Sequence, residues 1–166
     1  METATEAPPA TDRLRLVFER SGVALLRLCT LLTKRREDAE DLVQESFIRL
    51  APKLEGLSDE MVWPYLRQIA LNLWKNRLRR LALEVRVRAH RRVEPEPAGA
   101  AYEERDEVWG AVLGLPPRQR ACVVLRYYED LTERETAALL RCSVGTVKSQ
   151  TSKALARLGE VLSNGD

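Results

Sequence analysis

Apolar residues recur at helical spacing along most of the chain, from about residue 12 to residue 83 and again from about residue 103 to residue 162. The first stretch is interrupted near Pro52 and at Gly56-Leu57-Ser58. Neither stretch shows the alternation of apolar and polar residues that indicates a strand, nor the short turn that joins a hairpin. The pattern therefore predicts an all-α fold.

Residues 84–103 lose this periodicity, and Pro95 and Pro97 are incompatible with a helix there. Their Ala, Pro, Glu and Gly content is typical of a flexible linker, and so long an irregular stretch is unusual inside one compact domain. We therefore predict two small helical domains, at residues 11–83 and 104–162, joined by a linker at 84–103. Residues 1–10 are polar and proline-bearing without periodicity, which predicts a disordered tail.

Two helix starts follow each other near the C-terminus. Thr132-Glu133-Arg134-Glu135 has the pattern of a capping box, which predicts a short helix over about 133–140. Ser143 is a second N-cap and opens a helix from Val144 to about Leu162. A short helix, a three-residue turn and a longer helix form a helix-turn-helix motif.

The second helix of this motif has two contrasting faces. At 100° per residue, one arc is mostly apolar and is predicted to face the core: Val144, Val147, Thr151, Ala154, Leu155 and Leu158. The opposite arc and its flanks contain cations, hydroxyls and an amide but no acid: Gly145, Thr146, Lys148, Ser149, Gln150, Ser152, Lys153 and Arg157. Such a face suits a DNA major groove, where cations bind phosphates and polar side chains contact base edges. An ordinary surface helix is the alternative.

An acidic helix is predicted over residues 37–50. Its inward arc contains Ala39, Leu42, Val43, Ser46, Phe47 and Leu50. Its outward arc contains Asp38, Asp41, Gln44, Glu45 and Arg49, with Ile48 among them. An isoleucine on an acidic face favours a protein interface, although a local role of the first-turn acids at the helix dipole is equally open.

A basic segment follows at residues 63–80. Leu66, Ile69, Ala70 and Leu73 are predicted to face inward, which leaves another face for Asn72, Lys75, Asn76, Arg77, Arg79 and Arg80. Basic residues interleaved with Tyr65 and Trp74 suit single-stranded nucleic acid, whose bases stack on aromatic rings. The alternative is that the aromatic residues belong to the core. Pro64 predicts that the helix begins there.

The net charge of +2 conceals four charged zones. Five acids and no base lie at residues 37–45, nine bases and one acid at 63–92, six acids and one base at 93–107, and four bases and no acid at 141–157. Two basic zones separated by acidic ones indicate two surfaces that face a polyanion, with solvated helix faces as the alternative.

Several classes of protein are excluded. The chain has no apolar run of the roughly 20 residues that a membrane span needs, and its start lacks the pattern of a secretory signal. Its three cysteines, Cys29, Cys122 and Cys142, lie too far apart for a zinc knuckle or a disulfide framework. With His90 as the only histidine, a His-based catalytic or metal site lacks ligands. We expect a cytoplasmic protein with no cofactor, metal, small-molecule substrate or enzymatic activity.

Taken together, these motifs resemble an extracytoplasmic-function (ECF) sigma factor, most closely of the actinobacterial branch. The segment resembling that family's polymerase-binding helix is DAEDLVQESF at residues 38–47. The segment resembling its −10 element region begins with YLRQIALN at residues 65–72 and continues to Arg80. The −35-binding domain is resembled by LPPRQR at 115–120, LRYY at 125–128, ETA at 135–137 and SVGTVKS at 143–149.

The resemblance implies three binding surfaces. The first would contact the β′ clamp helices of core RNA polymerase through Asp41, Gln44, Glu45 and the neighbouring Ile48. The second would handle the −10 element through Asn72, Lys75, Asn76, Arg77, Arg79 and Arg80. The third would contact the −35 element through Thr146, Lys148, Ser149, Gln150, Ser152 and Lys153. The linker would follow the polymerase RNA path, the β flap would be a further contact, and an anti-sigma factor would mask both domains.

The chain departs from the family at four positions. Family members often have Trp where Tyr65 stands, a base at Leu71, Asp at Asn76 and Arg at Gln150, which puts the preferred promoter sequences in doubt. Two other functions stay open. A stand-alone helix-turn-helix regulator would bind operator DNA as a dimer, and an interaction protein would titrate polymerase without directing transcription.

Overall fold

The computed structural model of the chain describes residues 10–89 and 107–163, which we call the N-terminal and C-terminal halves. Within them the chain is helical and contains no strand, so the predicted all-α fold is confirmed. The α-helices are α1 (Ala10–Thr33), α2 (Arg36–Leu50), α3 (Asp59–Ala89), α4 (Glu107–Gly114), α5 (Pro117–Val123), α6 (Glu133–Leu140) and α7 (Val144–Ser163). A 3₁₀-helix at Ala51–Gly56 joins α2 to α3, and a π-helical turn at Val124–Tyr128 extends α5. No helix in these two ranges is both long and apolar enough to cross a membrane.

Helices α1, α2 and α3 pack around a shared apolar core. All six residues predicted to face inward on α2 are buried, and Phe47 meets Phe18 of α1 edge-on with ring centroids 5.0 Å apart. Arg13 closes the base of the core by donating hydrogen bonds to the carbonyls of Leu54 and Leu57 at 2.6 and 2.7 Å. It also forms an ion pair with Asp59 at 2.8 Å, which ties α1 to the start of α3.

Helix α3 is longer at both ends than the sequence predicts. It begins at Asp59, so the predicted start at Pro64 is wrong. The Met61 N–H donates to the Ser58 carbonyl at 2.9 Å and closes the first turn ahead of the proline, whose missing N–H then removes only one hydrogen bond near the helix start. The helix continues to Ala89, so residues 84–89 of the predicted linker are helical, with the side chains of 81–87 exposed. Residues 90–106, and residues 1–9 of the predicted tail, lie outside the described ranges.

The predicted helix-turn-helix motif is formed by α6 and α7. The capping box is present: the Thr132 hydroxyl accepts from the Glu135 N–H at 3.2 Å, and Glu135 Oε2 accepts from the Thr132 N–H at 2.7 Å. Ser143 caps α7, because its Oγ accepts from the Thr146 N–H at 3.0 Å. Arg141 ends α6 in the left-handed region, with φ of 55°.

The inward arc predicted for α7 is only partly buried. Val147, Ala154 and Leu158 are buried, whereas Val144 is 36% exposed and Leu155 is 46% exposed. The prediction is wrong for those two residues because α4, α5 and α6 cover only a narrow stripe of α7. A wheel drawn from periodicity alone gives the centre of the buried face but not its width.

The two halves contact each other. Helix α1 packs against α4 and α5, and α3 packs against α6. Buried side chains of both halves form one continuous cluster, in which Leu32 and Trp74 from the N-terminal half join Ala121, Val124 and Leu158 from the C-terminal half. A second, small cluster lies inside the helix-turn-helix and consists of Cys122, Ala137 and Val147.

Candidate protein and nucleic-acid interfaces

The acidic face of α2 is exposed as predicted. Asp41, Gln44 and Glu45 are exposed, and Ile48 is 71% exposed. Their spacing of i, i+3, i+4 and i+7 places all four on one stripe of the helix. Glu45 forms an ion pair with the exposed Arg49 at 2.6 Å, a surface pair of the kind that costs little to break. The stripe can therefore receive a partner surface that is basic and apolar.

Arg77 of α3 lies beside this stripe. Its Nη1 donates to the Asp38 carbonyl at 3.0 Å and lies 3.3 Å from Asp38 Oδ1, and its Nη2 lies 3.4 Å from Asp41 Oδ2. The predicted −10 residue Arg77 and the predicted polymerase residue Asp41 are thus in direct contact. All three side chains are partly exposed, so the contacts can exchange with a partner.

The other predicted −10 residues follow the same helix. Asn76, Arg79 and Arg80 are exposed, and Arg79 Nη1 donates to Asn76 Oδ1 at 3.4 Å. Asn72 is half-buried and its Oδ1 accepts from Gln68 Nε2 at 3.1 Å. Lys75 is directed into the C-terminal half, where its Nζ donates to the Leu139 carbonyl at 2.8 Å. Burial lowers the pKa of Lys75, and the positive charges of Arg141 and Arg79 lower it further.

The aromatic residues of α3 belong to the core. Trp74 is 3% exposed, and its Nε1 donates to the Leu32 carbonyl at 3.1 Å. Trp63 and Tyr65 are half-buried against the same core. Trp74 therefore cannot stack on a base in this arrangement, and the core interpretation is the correct one for it.

The predicted DNA face of α7 is formed and open. Lys148, Ser149, Ser152 and Lys153 are exposed, together with Gly145 and Arg157, whereas Thr146 and Gln150 are half-buried. Lys148 lies 3.7 Å from Glu133, and Ser149 Oγ donates to the Thr146 carbonyl at 3.1 Å. The helix N-terminus adds a positive dipole end on the same side, which favours a phosphate there.

A cleft of about 670 Å³ separates the basic helix from the helix-turn-helix. Trp74, Lys75 and Arg79 of α3 line one side, and the other side is lined by residues of α5, the turn and α7, among them Arg118, Arg141 and Gln150. Among the described residues that line it, none is acidic. Gln150 and part of the α3 face therefore line the same basic, partly apolar cleft.

Sequence patterns did not indicate the polar residues that join the two halves. Apart from Lys75, these are Arg67 on α3, Arg120 on α5 and Glu129 after the π-helical turn. The one local signal is at Arg120, a charged residue whose neighbours Gln119, Ala121 and Cys122 are all buried. A cation on an inward arc indicates a buried hydrogen-bonding role, but its partners cannot be located from the pattern.

Two family models match the chain, one on each half. Residues 17–84 match Sigma-70 region 2, and residues 105–158 match Sigma-70, region 4. The first match contains the acidic stripe and the basic face of α3. The second contains the helix-turn-helix.

Two similar proteins each match most of the chain. The RNA polymerase sigma-E factor of Streptomyces antibioticus is 37% identical over 148 residues, which cover 86% of this chain and 81% of the relative. The ECF RNA polymerase sigma factor SigM of Mycobacterium tuberculosis is 30% identical over 147 residues, covering 88% of this chain and 75% of the relative.

Solved structures show the same architecture. The sigma factor RpoE from Bartonella quintana, solved in complex with the anti-sigma factor NepR, superposes with a TM-score of 0.65 and 26% identity over 94% of this chain and 98% of that one. CnrH, solved with the cytosolic domain of CnrY, has a TM-score of 0.60 at 23% identity over 95% of this chain and 96% of that one, a likeness of fold.

Proposed function

The chain belongs to the ECF sigma factors, of the actinobacterial type, and from this we propose how its surfaces divide the work of transcription initiation. It binds core RNA polymerase, recognises the −10 and −35 promoter elements and directs initiation. The observation that supports this most is the order of surfaces on one chain: an exposed acidic stripe, a basic helix beside it and an open helix-turn-helix. A stand-alone regulator would need only the last of these and is disfavoured.

The polymerase surface is the stripe of Asp41, Gln44, Glu45 and Ile48, which we assign to the β′ clamp helices. Its exposed carboxylates attract basic side chains, and the isoleucine at the end of the stripe supplies apolar area to the contact. The C-terminal half contributes the second polymerase contact, with the β flap.

The −10 surface consists of Asn72, Lys75, Asn76, Arg77, Arg79 and Arg80 on α3. Cations neutralise the phosphates of the strand, and the amides of Asn72 and Asn76 offer both a donor and an acceptor to an unpaired base. Leu71, where family members often have a base, is fully buried here, so this position supports the core and contributes no phosphate contact. The contribution of cations to this surface therefore falls on the following turns of α3.

The −35 surface consists of Thr146, Lys148, Ser149, Gln150, Ser152 and Lys153 on α7. Lys148 and Lys153 bind phosphates, Gln150 can pair with an adenine by accepting through its amide oxygen and donating through its amide nitrogen, and Thr146 holds a phosphate at the helix N-terminus. The regions are proposed to act as two domains in the cytoplasm, where polymerase and chromosome are found. The protein has no catalytic role of its own, and an anti-sigma factor is its regulatory partner, since RpoE was solved in complex with the anti-sigma factor NepR.

Transcription in vitro tests this function. Core polymerase from an actinobacterium is incubated with a genomic DNA library, with and without the chain, and new transcript starts are mapped. We expect discrete starts preceded by a shared pair of elements. The variant Asp41→Lys/Glu45→Lys reverses two charges of the stripe and should abolish core binding, whereas Glu55→Lys, exposed outside it, should leave binding intact.

The other outcomes point to the rival functions. Binding to core without new starts would support the titrating protein. Absence of any binding to core would support the stand-alone regulator, which should then elute as a dimer in size-exclusion chromatography.

A further inference from the structure

The fold brings two of the three cysteines together in the C-terminal half. Cys122 lies near the end of α5, and Cys142 lies in the turn between α6 and α7. Both belong to the small cluster inside the helix-turn-helix, where Cys142 packs against the buried Cys122, Ala137 and Val147. Both also line the same cleft, and both are free thiols. Cysteines whose spacing in the sequence excludes a disulfide framework thus become neighbours in the structure.

The two thiols of this pair differ in their access to solvent. Cys142 is half-buried, whereas Cys122 is only 2% exposed. Burial, and to a smaller extent the neighbouring Cys142, raise the pKa of Cys122 to about 11. A reagent in solution therefore reaches Cys142 first, and Cys122 lies behind it as a protonated thiol.

Positive charge surrounds Cys142. Arg141 precedes it in the turn, and Arg118 of α5 and Lys75 of α3 line the same cleft, in which none of the described lining residues is acidic. Besides burial, which lowers the pKa of Lys75, the charge of Arg141 lowers it and that of Cys142 raises it, so these groups lie close to one another. Reactive cysteines are found in such partly exposed, electropositive surroundings, because the thiolate is the nucleophile.

Cys29 provides the contrast within the same chain. It is fully buried in the large core cluster, apart from Cys122 and Cys142, and burial raises its pKa to about 12. Its surroundings are those of a cysteine that packs as a small apolar side chain. Cys29 therefore serves as an internal control for any reaction of the other two.

We propose that Cys142 and Cys122 are a peroxide-reactive pair that forms a reversible disulfide between the turn of the helix-turn-helix and α5. Cys142 is the residue that meets the peroxide, and Cys122 is the residue that resolves the product. The formation of this bond depends on neither DNA nor polymerase.

The reaction takes place in two steps. The Cys142 sulfur attacks one oxygen of a peroxide, so that an S–O bond forms, the O–O bond breaks and the thiol proton goes to the leaving oxygen. Cys142 is thereby oxidised to a sulfenic acid, and the peroxide is reduced to water or an alcohol. The Cys122 sulfur then attacks the Cys142 sulfur: an S–S bond forms, the S–O bond breaks, and the oxygen leaves as water with the Cys122 proton. A dithiol reductant restores both thiols and is itself oxidised.

This bond acts on the −35 surface, a consequence that rests on the proposed function of α7. Cys142 directly precedes Ser143, whose Oγ caps α7 by accepting from the Thr146 N–H at 3.0 Å. Bonded sulfurs lie closer together than two unbonded thiols, so the disulfide draws the turn towards α5 and shifts the start of α7. We therefore expect the oxidised chain to bind the −35 element more weakly than the reduced chain.

Peptide mapping of the full chain tests the disulfide. The reduced chain is treated with hydrogen peroxide, its remaining thiols are blocked with iodoacetamide, and it is digested with trypsin. Because trypsin cleaves after Lys and Arg, Cys122 falls in residues 121–126 and Cys142 in residues 142–148, with one cysteine in each peptide. We expect these two peptides to be joined, to be lighter by two hydrogens than their sum, and to separate after reduction.

Variants at each cysteine make this result specific. Cys29→Ser should form the linked peptide to the same extent as the unchanged chain. Cys142→Ser should leave Cys122 unoxidised, and Cys122→Ala should stop at the Cys142 sulfenic acid, which dimedone traps. Circular dichroism checks the helix content of each variant before oxidation. Oxidation of Cys142 in the unchanged chain without the linked peptide, a bond that includes Cys29, or no oxidation at all would each overturn the proposal.

Transcription tests the consequence separately. The chain is oxidised and freed of peroxide before core polymerase is added, and initiation is measured at a promoter with both elements. We expect initiation to fall by about fivefold or more, the effect of losing one base contact, and to recover after reduction. Cys142→Ser should give the same initiation with and without the treatment. Unchanged initiation by a chain that holds the bond would contradict its action on the −35 surface. A reduced chain that fails to initiate would contradict the proposed function and leave the peptide map unaffected.

Discussion

The two proposed DNA surfaces differ in how many of their side chains are already bound by other residues of the chain. On α7, the side chains of Ser149, Ser152 and Lys153 are exposed. The helix itself is capped by Ser143 at its start and packs against the rest of the C-terminal half along its buried stripe. On α3, Lys75 is bound to a carbonyl of the other half, and Arg77 is held by residues of α2. The difference indicates that the proposed −35 surface is preformed, whereas two cations of the proposed −10 surface are already bound within the chain.

The connections that occupy the −10 surface are of two strengths. Those of Arg77 are partly exposed and at 3.0–3.4 Å, so each contributes at most about 1 kcal/mol. Lys75 is bound to the C-terminal half, and the contacts of Arg67 and Arg120 that hold this half in place are buried. The stronger restraint on the −10 surface is therefore the contact between the halves.

The largest effect is expected from Arg120→Met. This change leaves the Leu113 and Leu115 carbonyls without their donor in a buried site, so the free energy of unfolding should fall by about 2–4 kcal/mol, as measured by urea denaturation. Arg118 is exposed and lies two positions before Arg120 in the same helix. Arg118→Met should change the free energy of unfolding by less than about 0.5 kcal/mol. Equal stabilities of the two variants would show that Arg120 is not an anchor of the buried contact.

A smaller effect on selectivity is expected at the preformed surface. If Gln150 pairs with a base edge, Gln150→Ala should reduce discrimination at one −35 position by about 1–3 kcal/mol, measured as holoenzyme binding to a panel of single-base promoter variants. Lys153→Ala, at an exposed position on the same helix, should instead weaken binding to all variants alike and lower the slope of affinity against salt by about one. A uniform loss for Gln150→Ala would remove that residue from sequence recognition.

Local signals predicted what lies within single elements. The six buried residues of α2, the capping box at Thr132 and the Ser143 cap all depend on side chains within about one or two helical turns of each other, and all were correct. The stripe of Asp41 to Ile48 was found in the same way. In each case the information lies in helical periodicity and in the hydrogen-bonding needs of helix ends.

The contacts between elements could not be predicted in this way. Arg67 and Glu129 are 62 positions apart, and Arg120 and Leu32 are 88 positions apart, so no local pattern joins them. The same limit explains Val144 and Leu155, whose exposure depends on how much of α7 its neighbours cover. It also explains Pro64, which periodicity and proline preference place at a helix start, whereas the packing of α3 carries the helix through it.

A moderate loss of stability is expected when the capping box is removed. Thr132→Ala takes away the acceptor for the Glu135 N–H and should lower the free energy of unfolding by about 1 kcal/mol, within 0.5–2 kcal/mol. It should weaken −35 binding more than the contact of α2 with polymerase, because α6 positions α7. Thr132→Ser keeps the hydroxyl and serves as the matched control.

The effect of this cap should depend on pH. Hydrogen bonds from the Thr132 hydroxyl and N–H lower the pKa of Glu135, so the carboxylate is favoured in the folded state. A lowered folded-state pKa gives stability that is present at neutral pH and is lost as the pH falls and the carboxylate takes up its proton. The difference in unfolding free energy between the unchanged chain and Thr132→Ala should therefore shrink from pH 7 to pH 3.5, and a constant difference would contradict the reciprocal cap.

The smallest effect is expected at the turn of the helix-turn-helix, and its sign is positive. Arg141 has φ of 55°, a conformation that costs a residue with a side chain about 1–2 kcal/mol and costs glycine almost nothing. Part of this gain is offset by the greater freedom of glycine in the unfolded chain, so Arg141→Gly should stabilise by about 0.5–1 kcal/mol in urea denaturation. Arg134→Gly makes the same change inside α6, where helical backbone is required, and should destabilise by about 1 kcal/mol.

The same variant also bears on the contrast between the two surfaces. The charge of Arg141 lowers the pKa of Lys75, so Arg141→Gly should raise that pKa and remove one cation from the cleft. Less repulsion between Lys75 and the turn should strengthen the hydrogen bond from Lys75 Nζ to the Leu139 carbonyl. Arg141→Gly should therefore hold the proposed −10 surface more firmly, while the same change relieves the backbone of the turn. A pKa of Lys75 that is the same in Arg141→Gly and in the unchanged chain would mean that the turn does not act on the proposed −10 surface.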